Sequence, residues 1–325
     1  MSDGAASAEA NPETPPSTGP ARSGPTKAGP TKADWARFVG CVLLWGTAFW
    51  AIRVGVDDVA PAHLTMYRLW VSAAVLIAWC YGRGHRLPAP VPKNARRWGW
   101  LIALGFFGAG YPFAAIAVGT VHMSSALAAI LTSINPIATV ALAALFVREE
   151  TLTARKLVGV AIGFVGAVVL IGPGALSDLG GPMTWAQLAV MSAATAYAIN
   201  AIIAYRAPSM PAEIAAAGMI MCGAMWITPL GLWDAFHGSD MSSRAFLVSL
   251  FLGAGSSGAA SVIYLQLVRS AGPSFMSLTN YFVPVTALLV GLGFGERPGF
   301  SAYIGLGVIL LGVGLASRRP RPTRG

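Results

Sequence analysis

The sequence predicts an all-α integral membrane protein with about ten transmembrane helices in two inverted five-helix repeats. Three observations support this prediction: the composition, a series of apolar stretches and an internal repeat. Of the 325 residues, 55% are hydrophobic and only 11% are charged, whereas a soluble domain has about 25% charged residues. Together with a mean hydropathy of +0.63, the low charge places the chain among membrane proteins.

The apolar stretches follow an N-terminal tail, residues 1–34, that is rich in Pro, Gly, Ser, Thr and Ala. This tail has too little apolar surface to fold, so we predict a disordered cytoplasmic segment. Each later stretch has roughly 20 residues, enough to cross about 30 Å of hydrocarbon as a helix. Backbone amides in lipid must be paired within the segment, which favours helices. The predicted spans are 36–55, 63–82, 98–119, 124–147, 154–173, 184–206, 212–233, 245–268, 273–295 and 299–317.

The basic residues predict the orientation, because cytoplasmic loops of membrane proteins are enriched in Lys and Arg. With both termini inside, the cytoplasmic segments contain 18 of the 22 Lys and Arg residues, including those of the basic tail 318–325. The loops near 120–123 and 174–183 are then outside. High Ala, Gly and Arg with little Lys is typical of a GC-rich bacterial genome, so we predict the bacterial inner membrane. Basic residues at helix ends and tails argue against a nucleic-acid partner despite the net charge of +9.

An internal repeat is visible when the two halves are aligned with an offset of 148 residues. In each half a Pro is followed about 13 residues later by Glu, and then by two Gly seven residues apart. The matched residues are Pro136, Glu149, Gly159 and Gly166, and Pro284, Glu296, Gly305 and Gly312. Each half, 35–173 and 184–317, contains five predicted helices, and an odd number makes the second half enter from the opposite side. Inverted repeats are typical of secondary transporters that bind substrate at the repeat interface.

The chain resembles the EamA-type family of the drug/metabolite transporter superfamily over about residues 36–317. The matching pieces are Leu44-Trp45-Gly46-Thr47-Ala48-Phe49, Arg68, Asn135-Pro136 through Arg148-Glu149, and Val283-Pro284 through Gly295-Glu296. Arg148 stands where the family usually has Gly, and the second Pro-to-Glu interval is one residue shorter. The resemblance implies a ten-helix exporter whose partners are a small-molecule substrate (an amino acid, another metabolite or a drug) and membrane lipids.

Polar side chains within the predicted helices are the candidates for substrate binding, because burying them in hydrocarbon is costly unless they are satisfied. The candidates are Trp45, Arg68, Thr132, Asn135, Tyr197, Asn200, Asn280 and Tyr281. We expect most of them to meet in one central cavity between the halves. Trp45 either stacks on substrate or is a core residue bonded to a carbonyl. Tyr197 and Asn200 share a helix face and either line the pathway or join helices.

Two groups of candidates precede prolines, which remove a backbone donor and free a carbonyl. Thr132 and Asn135 precede Pro136, and Asn280 and Tyr281 precede Pro284. These side chains either line the pathway at a kink or satisfy the kink locally. Arg68 lies some 9 Å from the outer end of helix 2 at 1.5 Å per residue. It binds a substrate carboxylate or extends to the outer headgroups.

Two further features have structural interpretations. We expect Glu149 and Glu296 to pair with Arg155 or Lys156, or to cap the next helix. The Gly159-x-x-x-Gly163 pattern predicts close helix packing within the monomer, with a dimer face as the alternative. The protein is therefore expected to be a monomer or a homodimer.

The leading functional hypothesis is a secondary transporter that exports small metabolites such as amino acids. The alternative is an integral membrane enzyme acting on lipid or peptide substrates, which would need an activated nucleophile or a metal near the membrane. We find no such catalytic set, no metal-ligand spacing among the His and Cys residues, and no cofactor or nucleotide-binding motif. A sensor or scaffold would need a sizeable soluble module. No Asp, Glu or His lies centrally in a predicted helix, which favours a facilitator without proton coupling.

Overall fold

In the computed structural model, the protein is described over residues 30–56, 58–120, 122, 125–181, 183–293 and 299–317. Within these ranges all regular secondary structure is helical. The α-helices are α1 (Lys32–Val56), α2 (Pro61–Gly82), α3 (Ala95–Gly105), α4 (Tyr111–Thr120), α5 (Ser125–Thr132), α6 (Asn135–Phe146), α7 (Ala154–Ile171), α8 (Thr184–Arg206), α9 (Ala212–Phe236), α10 (Ser243–Leu252), α11 (Ala260–Ala271), α12 (Pro273–Ser277), α13 (Thr279–Gly293) and α14 (Phe300–Ser317). Most of the predicted N-terminal tail, the C-terminal tail and Glu296 lie outside the described residues.

The described helices confirm an all-helical membrane protein. Seven helical segments are long and apolar enough to cross a membrane, and Ile130–Phe146 is a shorter apolar stretch. The seven are Pro61–Gly82, Pro92–Ile116, Ala154–Ile171, Thr184–Arg206, Ala212–Phe236, Ser243–Ala271 and Phe300–Ser317. A helical backbone pairs most of its hydrogen-bonding groups within the segment, which is the requirement for crossing hydrocarbon.

Two predicted spans are broken helices. The span 124–147 is α5 followed by α6, with a turn at 133–134, and the span 273–295 is α12 followed by α13, with a turn at 278. The expected proline kinks are therefore wrong in detail. Pro136 lies in the first turn of α6, where its missing N–H costs no helical bond. Helix α13 runs through Pro284, six residues after its break.

The helices that end the two halves pack closely through glycines. A side chain at Gly159 of α7 would place its Cβ 2.5 Å from the backbone N of Ala316 in α14. A Cβ at Gly312 would lie 2.4 Å from the backbone N of Gly163. Such small residues let helix backbones approach. The predicted role of the Gly159 pattern in packing within the monomer is confirmed.

The packing pattern is similar when the two halves are exchanged. Helix α2 packs against α9, and α7 packs against α14. Helix α1 contacts α10, α11 and α13 of the second half, while α8 contacts α3, α4 and α6 of the first. Each half therefore contributes its first helix to the other half, and the boundary between the halves runs through the middle of the protein.

Candidate functional site

Two π-helical segments interrupt matching helices at the boundary between the halves. Phe106–Gly110 joins α3 to α4, and Gly253–Ala259 joins α10 to α11. The repeat offset of 148 residues aligns them. The first packs against α9, and the second packs against α2. A π turn shifts hydrogen bonding from the fourth to the fifth residue and is frequent at functional sites.

Trp45 binds the backbone of the second π segment. Its indole Nε1 donates to the carbonyl oxygen of Ser256 at 3.0 Å. The half-buried indole ring lies 6.2 Å from the ring of Tyr264, measured between centroids. Of the two interpretations from the sequence, the structure contains the carbonyl bond, and contact of Trp45 with substrate stays a prediction.

Arg68 points into the protein rather than to the membrane surface. Its side chain comes from α2, and the residue is only 9% exposed. The guanidinium Nε donates to Ser257 Oγ at 2.7 Å, and Cζ lies 4.8 Å from the ring centroid of Phe113. The second π segment and α4 thus hold the guanidinium between the halves, so Arg68 does not extend to headgroups as the alternative interpretation required.

The partners of Arg68 are neutral. Tyr197 of α8 lies close enough to interact with it electrostatically, and the rings of Tyr197 and Phe113 are 6.4 Å apart. In the part of the chain that the structure describes, the ion pairs are Arg37–Asp34 and Lys156–Glu150. Neither involves Arg68, so no described carboxylate neutralises its charge.

Asn200 binds the backbone just before the first π segment, whereas Trp45 binds the backbone within the second. Asn200 Nδ2 donates to the carbonyl oxygen of Leu104 at 2.8 Å, just before the π turn. Its Oδ1 accepts a hydrogen bond from the hydroxyl of Tyr264 at 2.6 Å. Asn200 is buried, and both ends of its amide are satisfied, so it joins α3, α8 and α11.

A second polar cluster lies where α6 and α13 begin. Asn280 Nδ2 donates to Asn135 Oδ1 at 3.0 Å and to the carbonyl oxygen of Ser277 at 3.0 Å. Asn135 Nδ2 donates in turn to the carbonyl oxygen of Ala194 in α8 at 2.9 Å. The two amides bridge the broken helices of both halves, and Asn280 stays half-exposed.

Helix α8 connects the two clusters. Ala194 contacts the amide pair, whereas Tyr197 and Asn200 belong to the Arg68 cluster. Along the helix axis Ala194 lies about 4.5 Å from Tyr197 and about 9 Å from Asn200. The Arg68 cluster comprises Trp45, Arg68, Phe113, Tyr197, Asn200, Ser256, Ser257 and Tyr264. Thr132 is half-buried at the end of α5. Tyr281 points elsewhere, because its hydroxyl donates to the carbonyl oxygen of Val160 in α7 at 2.8 Å. The structure thus does not bring Tyr281 into either cluster.

Sequence reasoning missed four members of the Arg68 cluster: Phe113, Ser256, Ser257 and Tyr264. The adjacent serines in an otherwise apolar predicted helix were an available signal, since polar groups in spans are costly and often functional. Phe113 and Tyr264 gave no comparable signal, because aromatic residues are common in membrane helices.

At one end of the protein the halves are joined by acidic side chains. Asp34 Oδ1 accepts from Ser270 Oγ at 2.5 Å, and Glu150 Oε1 accepts from the backbone N of Ser274 at 3.3 Å. Burial acts to raise the pKa of Asp34, but hydrogen bonds from Ser270 and Thr31 outweigh it and hold that pKa below its usual value. Lys156 pairs with Glu150, not with Glu149 as expected. Glu149 is exposed.

At the opposite end, the loop after α1 contacts the loop after α9. Ser239 Oγ accepts from the backbone N of Ala60 at 2.9 Å, and Ser242 Oγ donates to Asp58 Oδ2 at 2.9 Å. The two halves therefore contact each other at both ends of the boundary. A cavity of about 120 Å³ lies beside Glu150 and Lys156, away from all the predicted substrate-binding residues.

Comparison with known proteins identifies the family. The model of the EamA-like transporter family matches residues 36–172 and again residues 184–318. The chain belongs to the EamA-like transporter family. The model thus matches the chain twice, once in each half of the sequence.

Named relatives of this EamA-like protein are transporters. "Uncharacterized inner membrane transporter YedA" of Escherichia coli (strain K12) is 28% identical over 283 residues, covering 85% of this chain and 87% of the relative. "Probable terminal-alkyne amino-acid exporter" of Streptantibioticus cattleyicolor is 30% identical over 296 residues, covering 88% and 94%. A crystal structure with 22% identity superposes with a TM-score of 0.72 over 89% of this chain and 99% of that one, which shows a common fold.

Proposed function

We propose that this protein is a secondary transporter with ten transmembrane helices in two inverted repeats. The seven long spans would be completed by α1, by α5 with α6, and by α12 with α13. The symmetric exchange of packing between the halves and the double family match support this arrangement. The close glycine packing of α7 on α14 lies within one chain, so a monomer is sufficient for the proposed pathway.

The proposed activity is export of small metabolites such as amino acids along the boundary between the repeats. The main observation for it is the buried Arg68, which stands between the halves with neutral partners. Charged residues inside spans are rare and mark substrate or ion pathways. The proposed pathway residues are Trp45, Arg68, Thr132, Asn135, Tyr197, Asn200 and Asn280. Tyr281 is omitted because it packs on α7.

An enzymatic function has no comparable support. Ser257 contacts a guanidinium, and Ser256 Oγ and Ser261 Oγ donate to backbone carbonyl oxygens. A hydroxyl nucleophile would need a nearby base, and these hydroxyls are engaged by other groups.

A growth screen tests the proposed activity. Cells that overexpress the chain and cells that lack it are challenged with amino acids, their toxic analogues and drugs. Overexpression should protect against at least one toxic amino acid analogue, and the deletion strain should accumulate that compound. Equal sensitivity and equal accumulation in both strains across the whole panel would contradict export.

Cysteine labelling tests the inverted topology. Pro90→Cys lies in the loop after α2, and Asp178→Cys lies in the loop after α7. The native cysteines Cys41, Cys80 and Cys222 are buried and are replaced by Ala as background. A membrane-impermeant maleimide should label position 178 in intact cells and position 90 only after lysis. The reverse pattern would reject the proposed orientation.

A further inference from the structure

We infer that the transported substrate bears a carboxylate, which binds end-on to the two terminal nitrogens, Nη1 and Nη2, of Arg68, and that organic cations are excluded. The inference rests on the proposed transport function and specifies its substrate class. It follows from the charge of the cluster, from the orientation of the guanidinium and from the surrounding side chains.

The charge of Arg68 is not neutralised within the described protein. Its contacts there are the hydroxyl of Ser257, the ring of Phe113 and the electrostatic neighbour Tyr197. A buried charge is costly unless it is paired with an opposite charge. The cluster is therefore complete only when an anion occupies it, and a mobile substrate supplies that anion for part of the cycle.

The contacts of Arg68 also fix which edge of the guanidinium is available. Ser257 Oγ accepts the hydrogen bond from Nε, and the Phe113 ring lies against one face of the guanidinium. The four N–H groups on Nη1 and Nη2 have no hydrogen-bond partner among the described residues. A guanidinium presents these donors in a planar fork that matches a carboxylate with two parallel hydrogen bonds.

The charge balance favours an anionic group with a single negative charge. Among the described residues that are buried, Arg68 is the only Lys or Arg. A single guanidinium neutralises one carboxylate, whereas a phosphate monoester with two negative charges would leave one buried charge unpaired. The site therefore fits a carboxylate better than a phosphate.

The surroundings favour an apolar body and oppose a cation. The ring of Phe113 lies beside the guanidinium and 6.4 Å from the ring of Tyr197. The indole of Trp45 donates to Ser256, the residue before Ser257. The buried carboxylate among the described residues is Asp34, at the start of α1 and bonded to Ser270. A cationic drug would meet the positive charge of Arg68 without an acid to offset it, so like-charge repulsion excludes it.

The test compares acids with their amides in proteoliposomes that contain the purified full-length chain. The acid panel is alanine, leucine and phenylalanine. The amide panel is alaninamide, leucinamide and phenylalaninamide, and ethidium is the cationic drug. Wild-type protein should transport at least one acid at least ten times faster than its amide and should not transport ethidium. Each compound is measured at the same concentration gradient.

Arg68→Gln should reduce the rate of transport of the acid by about 10- to 100-fold, because it removes the hydrogen bonds between a charged donor and the substrate carboxylate. The acid-to-amide rate ratio should fall towards one. Arg68→Lys keeps the charge but not the fork, and it should give an intermediate ratio. The ratio does not depend on how much protein is folded, so partial misfolding does not imitate the result. Arg155→Gln, at an exposed position at the start of α7, is the matched control and should retain the wild-type ratio.

Two outcomes separate the inference from the function on which it rests. Wild-type transport of amides or ethidium as fast as acids, or an unchanged acid-to-amide ratio in Arg68→Gln, would overturn the carboxylate inference and leave the transporter function standing. Failure of the wild-type protein to move any compound of either panel, together with a negative growth screen, would reject both.

Discussion

The π-helical segments Phe106–Gly110 and Gly253–Ala259 have the same backbone role in the two halves. In each case a glycine just before or at the start of the segment packs on a long helix of the other half, Gly105 on α9 and Gly253 on α2. In each case a side chain of the other half donates to a carbonyl of the interrupted helix. Asn200 of the second half donates to Leu104, and Trp45 of the first half donates to Ser256.

The side chains of the two segments differ. The first presents aromatic residues, and the ring of Phe106 packs on Trp226 at 5.0 Å between centroids. The second contains Ser257, whose hydroxyl accepts from Arg68. The two repeats thus share a backbone arrangement, and only the second segment binds a charged side chain, that of Arg68. A small substrate has no twofold symmetry, so a site between two repeats must differ between them in this way.

The largest expected effect tests the shared backbone role. Gly105→Ala would place Cβ 2.7 Å from the backbone N of Gly223, and Gly253→Ala would place it 2.8 Å from the carbonyl oxygen of Arg68. Overpacking of this kind costs about 1–3 kcal/mol, so both variants should melt at lower temperature in detergent. Gly99→Ala and Gly255→Ala, which meet no contact closer than 3.8 Å, should be neutral or stabilising. A lower melting temperature in only one of Gly105→Ala and Gly253→Ala would show that the two segments are not equivalent.

The next effect tests the asymmetry. Ser257→Ala removes the acceptor that orients Arg68 Nε, whereas Ser256→Ala removes a hydroxyl that bonds within its own helix to Leu252. A hydrogen bond to a charged group is worth about 1.5–3 kcal/mol, so Ser257→Ala should raise the KM for the transported acid by about ten-fold. Ser256→Ala should change KM less than two-fold. Equal KM values in the two variants would remove Ser257 from the site.

A smaller effect compares the two carbonyl contacts. Asn200→Leu removes two hydrogen bonds between helices, those with the carbonyl of Leu104 and the hydroxyl of Tyr264. Trp45→Phe removes one, with the carbonyl of Ser256. Hydrogen bonds between membrane helices average about 0.6 kcal/mol, so Asn200→Leu should lower the free energy of unfolding about twice as much as Trp45→Phe. Unfolding in denaturant checks the ratio. A larger loss in Trp45→Phe would assign that indole a packing role beyond its hydrogen bond.

The smallest effect concerns protons. The Arg68 cluster has no acidic or histidine side chain among its described members, so an imposed pH gradient should not drive uphill transport in liposomes. Asp34 lies outside the cluster, and its lowered pKa keeps it ionised near neutral pH. Its stabilising contribution is present above its unfolded pKa and is lost only as the pH falls through the folded value. If flux needs a pH gradient, the facilitator proposal fails, and Glu149 and Glu296 are the first residues to mutate.

The sequence by itself determined the membrane class, the repeat and the family. These properties depend on composition and on spacing along the chain, which are read without knowing any contact. It also located Trp45, Arg68, Asn135, Asn200 and Asn280 as polar or amphipathic groups within spans, because hydrocarbon makes every such group conspicuous. The same reasoning placed Gly159 in a close helix contact, since small residues are the ones that allow it.

Only the tertiary structure decided where these groups point. A span in lipid is apolar on almost every face, so its sequence does not reveal which face meets another helix. Tyr281 donates to α7 instead of joining the polar clusters. Glu150, not Glu149, pairs with Lys156. The helix breaks lie before Pro136 and Pro284 rather than at these prolines. The π segment that contains Ser256 and Ser257 packs against α2. This packing brings together residues far apart in the chain, such as Arg68 and Ser257, which are 189 positions apart.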